Sequence, residues 1–365
     1  MKEDFQHKMK PALQDYYKNK IRHIQDTLET IFPESLVTEK WFQAALDDTQ
    51  FLFDPKISEP ALYKPMRQYL KARGKLFRPL LSNLLIEAYG KNPDEFRPVL
   101  AISEIIHCSS LILDDIVDRS LLRRGEPCSH VIHGISIAGN GSMAATFYAF
   151  SLINDPSMPL SISERLKLYE ILYWEHYGCS IGTALDLGWS KLKLTEIDQD
   201  QYIQHIIYRS CAYTYRVAAR TGALAGGANE KEQEAIFNYS TKIGIAFQFI
   251  DDILNLEPET DAWGKTIGED ITEGKRSPLV LHTLKMADQN NRNRLLEILD
   301  SKTTDRAILQ EAITILKNHN AFDQVRKDAK QYIISACEEV DKLSIADYYK
   351  NLLCDFAEYV LERKV

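Results

Sequence analysis

The sequence predicts an all-α protein organised as a single domain, and three observations carry that expectation. Apolar residues recur at helical spacing along most of the chain, as at Leu13, Tyr17, Ile21, Ile24, Leu28 and Ile31. Alternating β-branched runs are scarce, so little of the sequence suits a sheet. No compositional break or internal repeat marks a boundary, and the length of 365 residues with 45% apolar content is ample for one large core.

Taken in order, Pro11 and Pro33 bracket the first helical pattern, over residues 12–32. A looser stretch with Pro55 and Pro60 leads through a further helical segment to "ARGKLFRP", and residues 1–58 read as a helical N-terminal extension. "YGKNPDEF" at 89–96 is a turn followed by a helix start. "AISEIIHCSSLIL" is long, apolar and free of Gly and Pro, as a buried helix should be. Residues 151–166 form a connection, closed by Ser161 and Glu164 in a capping-box pattern. "EPETDAWGKTIGED" at 257–270 is the most loop-like long segment.

Composition removes several classes of function. A formal charge of −8 argues against a nucleic-acid surface, so an anionic ligand needs locally concentrated base. No apolar run is long enough for a membrane span, and the N-terminal residues lack a secretory h-region. The six cysteines show neither a CxxC pair nor metal-ligand spacing, which fits reduced, packed thiols and a cytoplasmic protein.

Two acidic clusters then stand out. Asp114, Asp115 and Asp118 follow an apolar helix, and on that helix Asp114 and Asp118 share a face one turn apart. Asp251 and Asp252 follow "IGIAFQFI" and precede two aliphatics and Asn255, the same design repeated. One acid pair is more often a solvated helix end, but two matching pairs behind apolar helices ask for a cation. Oxygen ligands without His or Cys suit magnesium, which takes one or two carboxylates and completes its shell with substrate phosphate. The bases agree: Lys75 and Arg78 sit in "GKLFRP", Arg123 and Arg124 follow the first acids, and Lys265 and Lys275 follow the second. No Walker A pattern is present, and "GNGS" at 139–142 reads as helix packing or a turn.

With these residues in order, the chain resembles the trans-type polyprenyl diphosphate synthases, the farnesyl and geranylgeranyl diphosphate synthase group. The resemblance runs through about residues 60–280 and more loosely beyond. It implies an all-helical, single-domain bundle of the isoprenoid synthase type around a central cavity, usually a homodimer. It also implies three magnesium ions bridged to substrate by Asp114, Asp115 and Asp118 on one side and by Asp251 and Asp252, with Gln248 beside them, on the other. Lys75, Arg78, His107 and Arg124 match positions that hold the diphosphate of isopentenyl diphosphate. Arg123, Lys265 and Lys275 match contacts to an allylic diphosphate. Arg209 and Ser210 stand where the family commonly has Lys-Thr, and Asp270 is a family acid. Without the resemblance, His107 reads as a core histidine.

The implied reaction is magnesium-dependent head-to-tail condensation of isopentenyl diphosphate with the allylic diphosphate. Rival readings are a terpene cyclase on the same scaffold, which needs no second diphosphate pocket, and a non-catalytic modulatory subunit, which should have lost the first acids. Some positions depart from the family: Leu76 or Phe77 replaces a base, Asn140 an Asp, Thr183 a Gln beside a retained Asp186, and Asn255 the last Asp of the second motif. Ser109 and Ser110, about one turn before Asp114, either permit close helix packing or line the chain cavity. In the family, small residues there admit longer products. Phe147 and Tyr148 are then expected as a floor, with a product of about twenty carbons favoured over fifteen on the rise of one turn per isoprene unit.

Overall fold

The computed structural model describes residues 9–33, 54–71, 74–192, 197–257 and 268–362. These residues are helical almost throughout. They gather into two compact units, one drawn from 15–173 and 217–233, the other from 1–14, 174–216 and 234–365.

The elements begin with α1, Pro11–Ile31, which belongs to the first unit from Asp15 onward. Next come α2 (Lys64–Lys71), α3 (Phe77–Ala88) and α4 (Arg97–Val117). Pro60 does not loosen the approach to α2 but sits in a π-helical turn, Glu59–Tyr63. The turn expected at 89–96 is present and ends in a 3₁₀ turn, Pro93–Phe96, whose Asn92 side chain accepts the Asp94 N–H at 3.2 Å. α4 carries the apolar run and buries it: Val99 to Ile102 and Ile105 are fully excluded from solvent. α5 (Ile135–Ser151) packs on α4. The glycine pair lies inside α5, where a methyl group at Gly141 would come within 3.0 Å of Pro65 Cβ, so the packing reading of "GNGS" holds.

α6 (Ile162–Leu192) opens with the expected capping box: Glu164 accepts the Ser161 N–H at 2.7 Å and its own N–H reaches Ser161 Oγ at 3.3 Å. α7 (Gln199–Cys211) starts the same way from Asp198 and Gln201. A π-helical turn, Ala212–Arg216, separates it from α8 (Val217–Gly226). α9 (Glu230–Leu256) carries the second acids. A single helical turn, Glu269–Thr272, precedes five further helices: α10 (Pro278–Met286), α11 (Gln289–Ser301), α12 (Arg306–Asn318), α13 (Ala321–Val340) and α14 (Asp347–Glu362). In the second unit, a buried ion pair of Arg216 with Glu175 (2.6 Å) and the Tyr239 hydroxyl on the Leu353 carbonyl (2.8 Å) satisfy polar groups taken out of water. Among the described residues no helix is long and apolar enough to cross a membrane.

One small sheet was not expected. Leu122–Arg123 (β1) pairs antiparallel with Glu126–Pro127 (β2) across a two-residue turn. Arg124 and Gly125 both take positive φ there, 56° and 81°, which is the twist a tight hairpin needs.

Candidate active site

In the first unit, α4 delivers its acids to its C-terminus. Asp118 caps the helix with its N–H on the Asp114 carbonyl at 2.8 Å. Arg119 then enters the left-handed region (φ 55°), and the Ser120 N–H returns to the Asp115 carbonyl at 3.0 Å. That closing bond ends the helix with its last carbonyls partnered. The β1–β2 hairpin folds the chain back over this end, which explains why two arginines follow the acids. Arg123 Nε donates to Asp115 Oδ1 at 2.9 Å, and its Nη2 donates to the same oxygen. Tyr69 donates its hydroxyl to the other oxygen at 2.6 Å and accepts the Ser129 N–H at 3.1 Å. Asp115, fully buried, is therefore neutralised and hydrogen-bonded on both oxygens. Burial opposes charge on Arg123, but the Asp115 bond prevails and raises its pKa.

Arg124 is exposed and points elsewhere. Its guanidinium donates to the Tyr69 carbonyl at 3.3 Å and lies over Gly74, where a Cβ would stand 3.0 Å from Nη2. The glycine of "GKLFRP" thus leaves room for the second arginine of "RRG". Leu76, in the same segment, holds φ 53° before α3 begins. His107 is half-buried on α4, two turns before Asp114. Burial first, and then Arg78, Arg124 and Arg123, push its pKa well below the usual imidazole value, so the ring is neutral at pH 7. The structure thus brings together His107, Arg78, Arg123 and Arg124, and Lys75 is half-buried beside them in sequence. Several cations thus act on one neutral imidazole.

The positions expected to set chain length separate. Ser109 is buried between α4 and α5, its hydroxyl 2.7 Å from Thr146 Oγ1 and 2.8 Å from the Ser142 carbonyl. It therefore serves helix packing, and the cavity-lining expectation is corrected for this residue. Ser110 is half-buried, and among the described residues it bonds within its own helix, to the His107 carbonyl at 2.9 Å. Tyr148 is no floor beside Phe147: its hydroxyl donates to the Ile31 carbonyl at 2.8 Å and its ring packs edge-on to Phe32, while Phe147 is 67% exposed.

In the second unit, α9 places Gln248, Asp251, Asp252 and Asn255 on one stripe. Asp252 is buried and accepts from Gln248 Nε2 at 2.8 Å and from the Tyr202 hydroxyl at 2.7 Å. Unlike Asp115 it has no cation partner among the described residues. Burial, followed by repulsion from Asp270 and Asp251, lifts its pKa to about 8. Asn255 does not hold its amide oxygen free for a metal: Oδ1 accepts the Asp270 N–H at 3.1 Å, tying the end of α9 to the turn at 269–272. Lys275 bridges Asp270 (2.9 Å) and Glu273 (2.7 Å). Lys265 lies outside the described residues.

α6 and α7 meet beside this cluster. A Cβ at Gly182 would stand 2.4 Å from the Arg209 backbone nitrogen, so no other residue permits that approach. Arg209 pairs with Asp186 at 2.5 Å. Thr183 turns its hydroxyl back to the Cys179 carbonyl at 2.9 Å, and Ser210 is half-buried one position after Arg209.

A family model described as polyprenyl synthetase matches residues 59–316. The chain belongs to that family. It is similar to a short chain isoprenyl diphosphate synthase of Methanothermobacter thermautotrophicus, 32% identical over 316 residues that cover 84% of this chain and 92% of the relative. A geranylgeranyl diphosphate synthase of Sulfolobus acidocaldarius is 28% identical over 306 residues, 84% of this chain and 92% of its own. Among solved structures, geranylgeranyl pyrophosphate synthetase from Pyrococcus horikoshii matches with a TM-score of 0.81 at 27% identity, over 96% of this chain and 98% of that one.

This polyprenyl synthetase is accordingly an all-α prenyltransferase. Sequence reasoning missed the two tyrosines, Tyr69 and Tyr202, that hold the buried acids of its two motifs. A lone tyrosine has no spacing signal, so only the fold could reveal them. Among the described residues no group of three or more His, Cys, Asp or Glu is arranged around one point as a closed metal cage. The second acid cluster nevertheless suits a divalent cation, because the repulsion from Asp270 and Asp251, which adds to burial in raising the Asp252 pKa, is what such a charge relieves.

Proposed function

We propose that this polyprenyl synthetase condenses isopentenyl diphosphate head-to-tail with an allylic diphosphate, using magnesium, to give a product of about twenty carbons, with fifteen as the second reading; both lengths rest on the family pattern and helical rise. The observation that carries the reading is the presence of two unlike sites: cations around a neutral His107 in the first unit, and acids around the buried Asp252 in the second. Lys75, Arg78, His107 and Arg124 bind the isopentenyl diphosphate. Asp114 and Asp118 in the first motif, and Asp251 and Asp252 in the second, are the proposed magnesium ligands; the expectation for Asp115 is corrected, because its buried carboxylate is taken up by Arg123 and Tyr69. Arg209, Ser210, Lys275 and Lys265 are assigned to the allylic diphosphate. Arg123 supports that site by fixing Asp115. Gln248 and Tyr202 orient the Asp252 carboxylate.

Bound magnesium supplies charge neutralisation of the leaving diphosphate. The protein's own groups do the positioning. The arginines and lysines hold both diphosphates so that the allylic carbon–oxygen bond ionises with the isopentenyl double bond at its carbon. The alkene electrons form the new carbon–carbon bond, and the adjacent proton leaves to the departing diphosphate. Apolar residues of α4 keep water from the cation. Ser110, half-buried below the first acids, is the proposed ruler position. A homodimer of this one-domain chain, acting in the cytoplasm, fits the family pattern.

Turnover of the two diphosphates should vanish with a chelator and return with excess magnesium. Full turnover in the chelated protein would refute the magnesium assignment. The terpene cyclase alternative fails to account for the cation cluster around His107, because a cyclase ionises a single diphosphate.

A further inference from the structure

His205 is absent from every role assigned so far, yet its setting calls for explanation. It lies on α7 with 6% of its surface exposed, and neither ring nitrogen has a hydrogen-bond partner among the described residues. A neutral imidazole has one donor and one acceptor, and leaving both unmet in the interior costs about 1–3 kcal/mol each. Apolar side chains would fill the same space without that cost. Its neighbours are specific. Tyr202, His205 and Arg209 share one face of α7, three and four residues apart. On the facing stripe of α6, three residues apart, stand Asp186 and Trp189. Trp189 meets the His205 ring edge-on at 5.1 Å, and Asp186 meets Arg209 at 2.5 Å. Asp186 thus has Arg209 as its partner and His205 one turn away on the same helix. Tyr202, whose ring lies 5.8 Å from the imidazole, is occupied with Asp252.

The charges around the ring oppose one another. Burial is the main influence and lowers the His205 pKa to about 4; Asp186 raises it, while Arg209 and Lys275 lower it. With Asp186 neutralised by Arg209, the imidazole stays neutral. Remove Arg209 from Asp186 and the balance reverses, because the carboxylate then faces the ring without its cation.

We propose that His205 is the reserve partner of Asp186, a positioning residue that takes up a proton and pairs with that carboxylate when Arg209 turns to a diphosphate oxygen. This rests on the proposed role of Arg209 at the allylic diphosphate. The exchange keeps one cation beside Asp186 at every stage, so the arginine moves to substrate without leaving a partly buried carboxylate unpaired. No covalent step is involved; one proton comes from solvent on binding and returns on release.

The test uses the full chain, magnesium and inorganic pyrophosphate. The C2–H resonance of His205, assigned by its loss in His205→Gln, is titrated by NMR with and without pyrophosphate. The free protein should show a neutral ring through the physiological range, and the complex a midpoint at least about two units higher, as removal of a cation from a buried pair produces. If pyrophosphate binds and the resonance does not move, the proposal is overturned and the catalytic reading stands. If pyrophosphate does not bind, both fall. His205→Phe supplies the kinetic arm: KM for the allylic diphosphate should rise about tenfold, the effect of losing one charged hydrogen bond, with KM for isopentenyl diphosphate and the melting temperature unreduced. Full function in His205→Gln would assign the residue a simple hydrogen bond and reject the proton exchange.

Discussion

Replacing Arg123 by methionine should cost the fold far more than the same change at the adjacent Arg124. Asp115 is fully buried, and Arg123, its side chain 15% exposed, supplies both the charge and two of the side-chain hydrogen bonds the carboxylate accepts. In Arg123→Met the carboxylate keeps the Tyr69 hydroxyl but loses its cation. Removing one member of a buried pair leaves an uncompensated charge, at about 3–5 kcal/mol. Arg124 is exposed and its bond to the Tyr69 carbonyl is long, so Arg124→Met should stay within about 0.5 kcal/mol in stability while weakening substrate binding. The assay is urea unfolding of wild type, both single variants, Asp115→Asn and the Asp115→Asn/Arg123→Met double variant. Because Asp115→Asn removes the stranded charge, the double variant should recover at least about 2 kcal/mol relative to Arg123→Met, a coupling of the size expected for contacting groups. A loss under about 1 kcal/mol in Arg123→Met, or a double variant no more stable than it, would show that the hairpin is not held to α4 by this pair.

Three further outcomes follow from the same contacts. The Asp252 pKa is raised in the fold to about 8, so its stabilising contribution is complete below about 4, where the unfolded acid is also protonated, and is lost as pH climbs through 8. The metal-free protein should therefore melt at lower temperature as pH rises across that window, more steeply than Asp252→Asn, and magnesium should remove the difference; parallel profiles would contradict the burial assigned to this carboxyl. Ser109→Phe should destabilise by about 1–3 kcal/mol or fail to fold, because the ring must enter a closed hydroxyl cluster between α4 and α5, whereas Ser110→Phe should fold and shorten the main product by about one isoprene unit on chromatography. Unchanged products from a folded Ser110→Phe would move the ruler elsewhere. Asn255→Asp should lower the metal-free melting temperature by adding a carboxylate to the cluster of Asp251, Asp252 and Asp270, and should restore it with magnesium; a melting temperature indifferent to the metal would separate Asn255 from the site.

The parts of this protein visible in its sequence were those governed by local rules. The helical run from Pro11, the capping box of Ser161 and Glu164, and the apolar helix that delivers Asp114 to Asp118 all follow from spacing and side-chain chemistry within a few turns. The arginine pair was visible as a pair, but its division of labour was not. That depends on two residues, Arg124 and Gly125, adopting positive φ in a hairpin too short to leave an alternating pattern. Ser109 and Ser110 are alike in sequence and differ only in which face of α4 each occupies against α5, a difference set by tertiary packing. Asn255 looked like a weakened ligand; its amide instead holds a backbone N–H fifteen residues away, a contact no local pattern encodes.

Incubating the protein with magnesium, labelled isopentenyl diphosphate and each allylic starter in turn, then resolving the products by chain length, tests the central claim most directly. The account predicts label in a longer allylic diphosphate of about twenty carbons, by the helical-rise argument, and none in the Asp114→Ala protein. Release of diphosphate from the allylic starter without incorporation of label would contradict it and assign the chain to cyclisation.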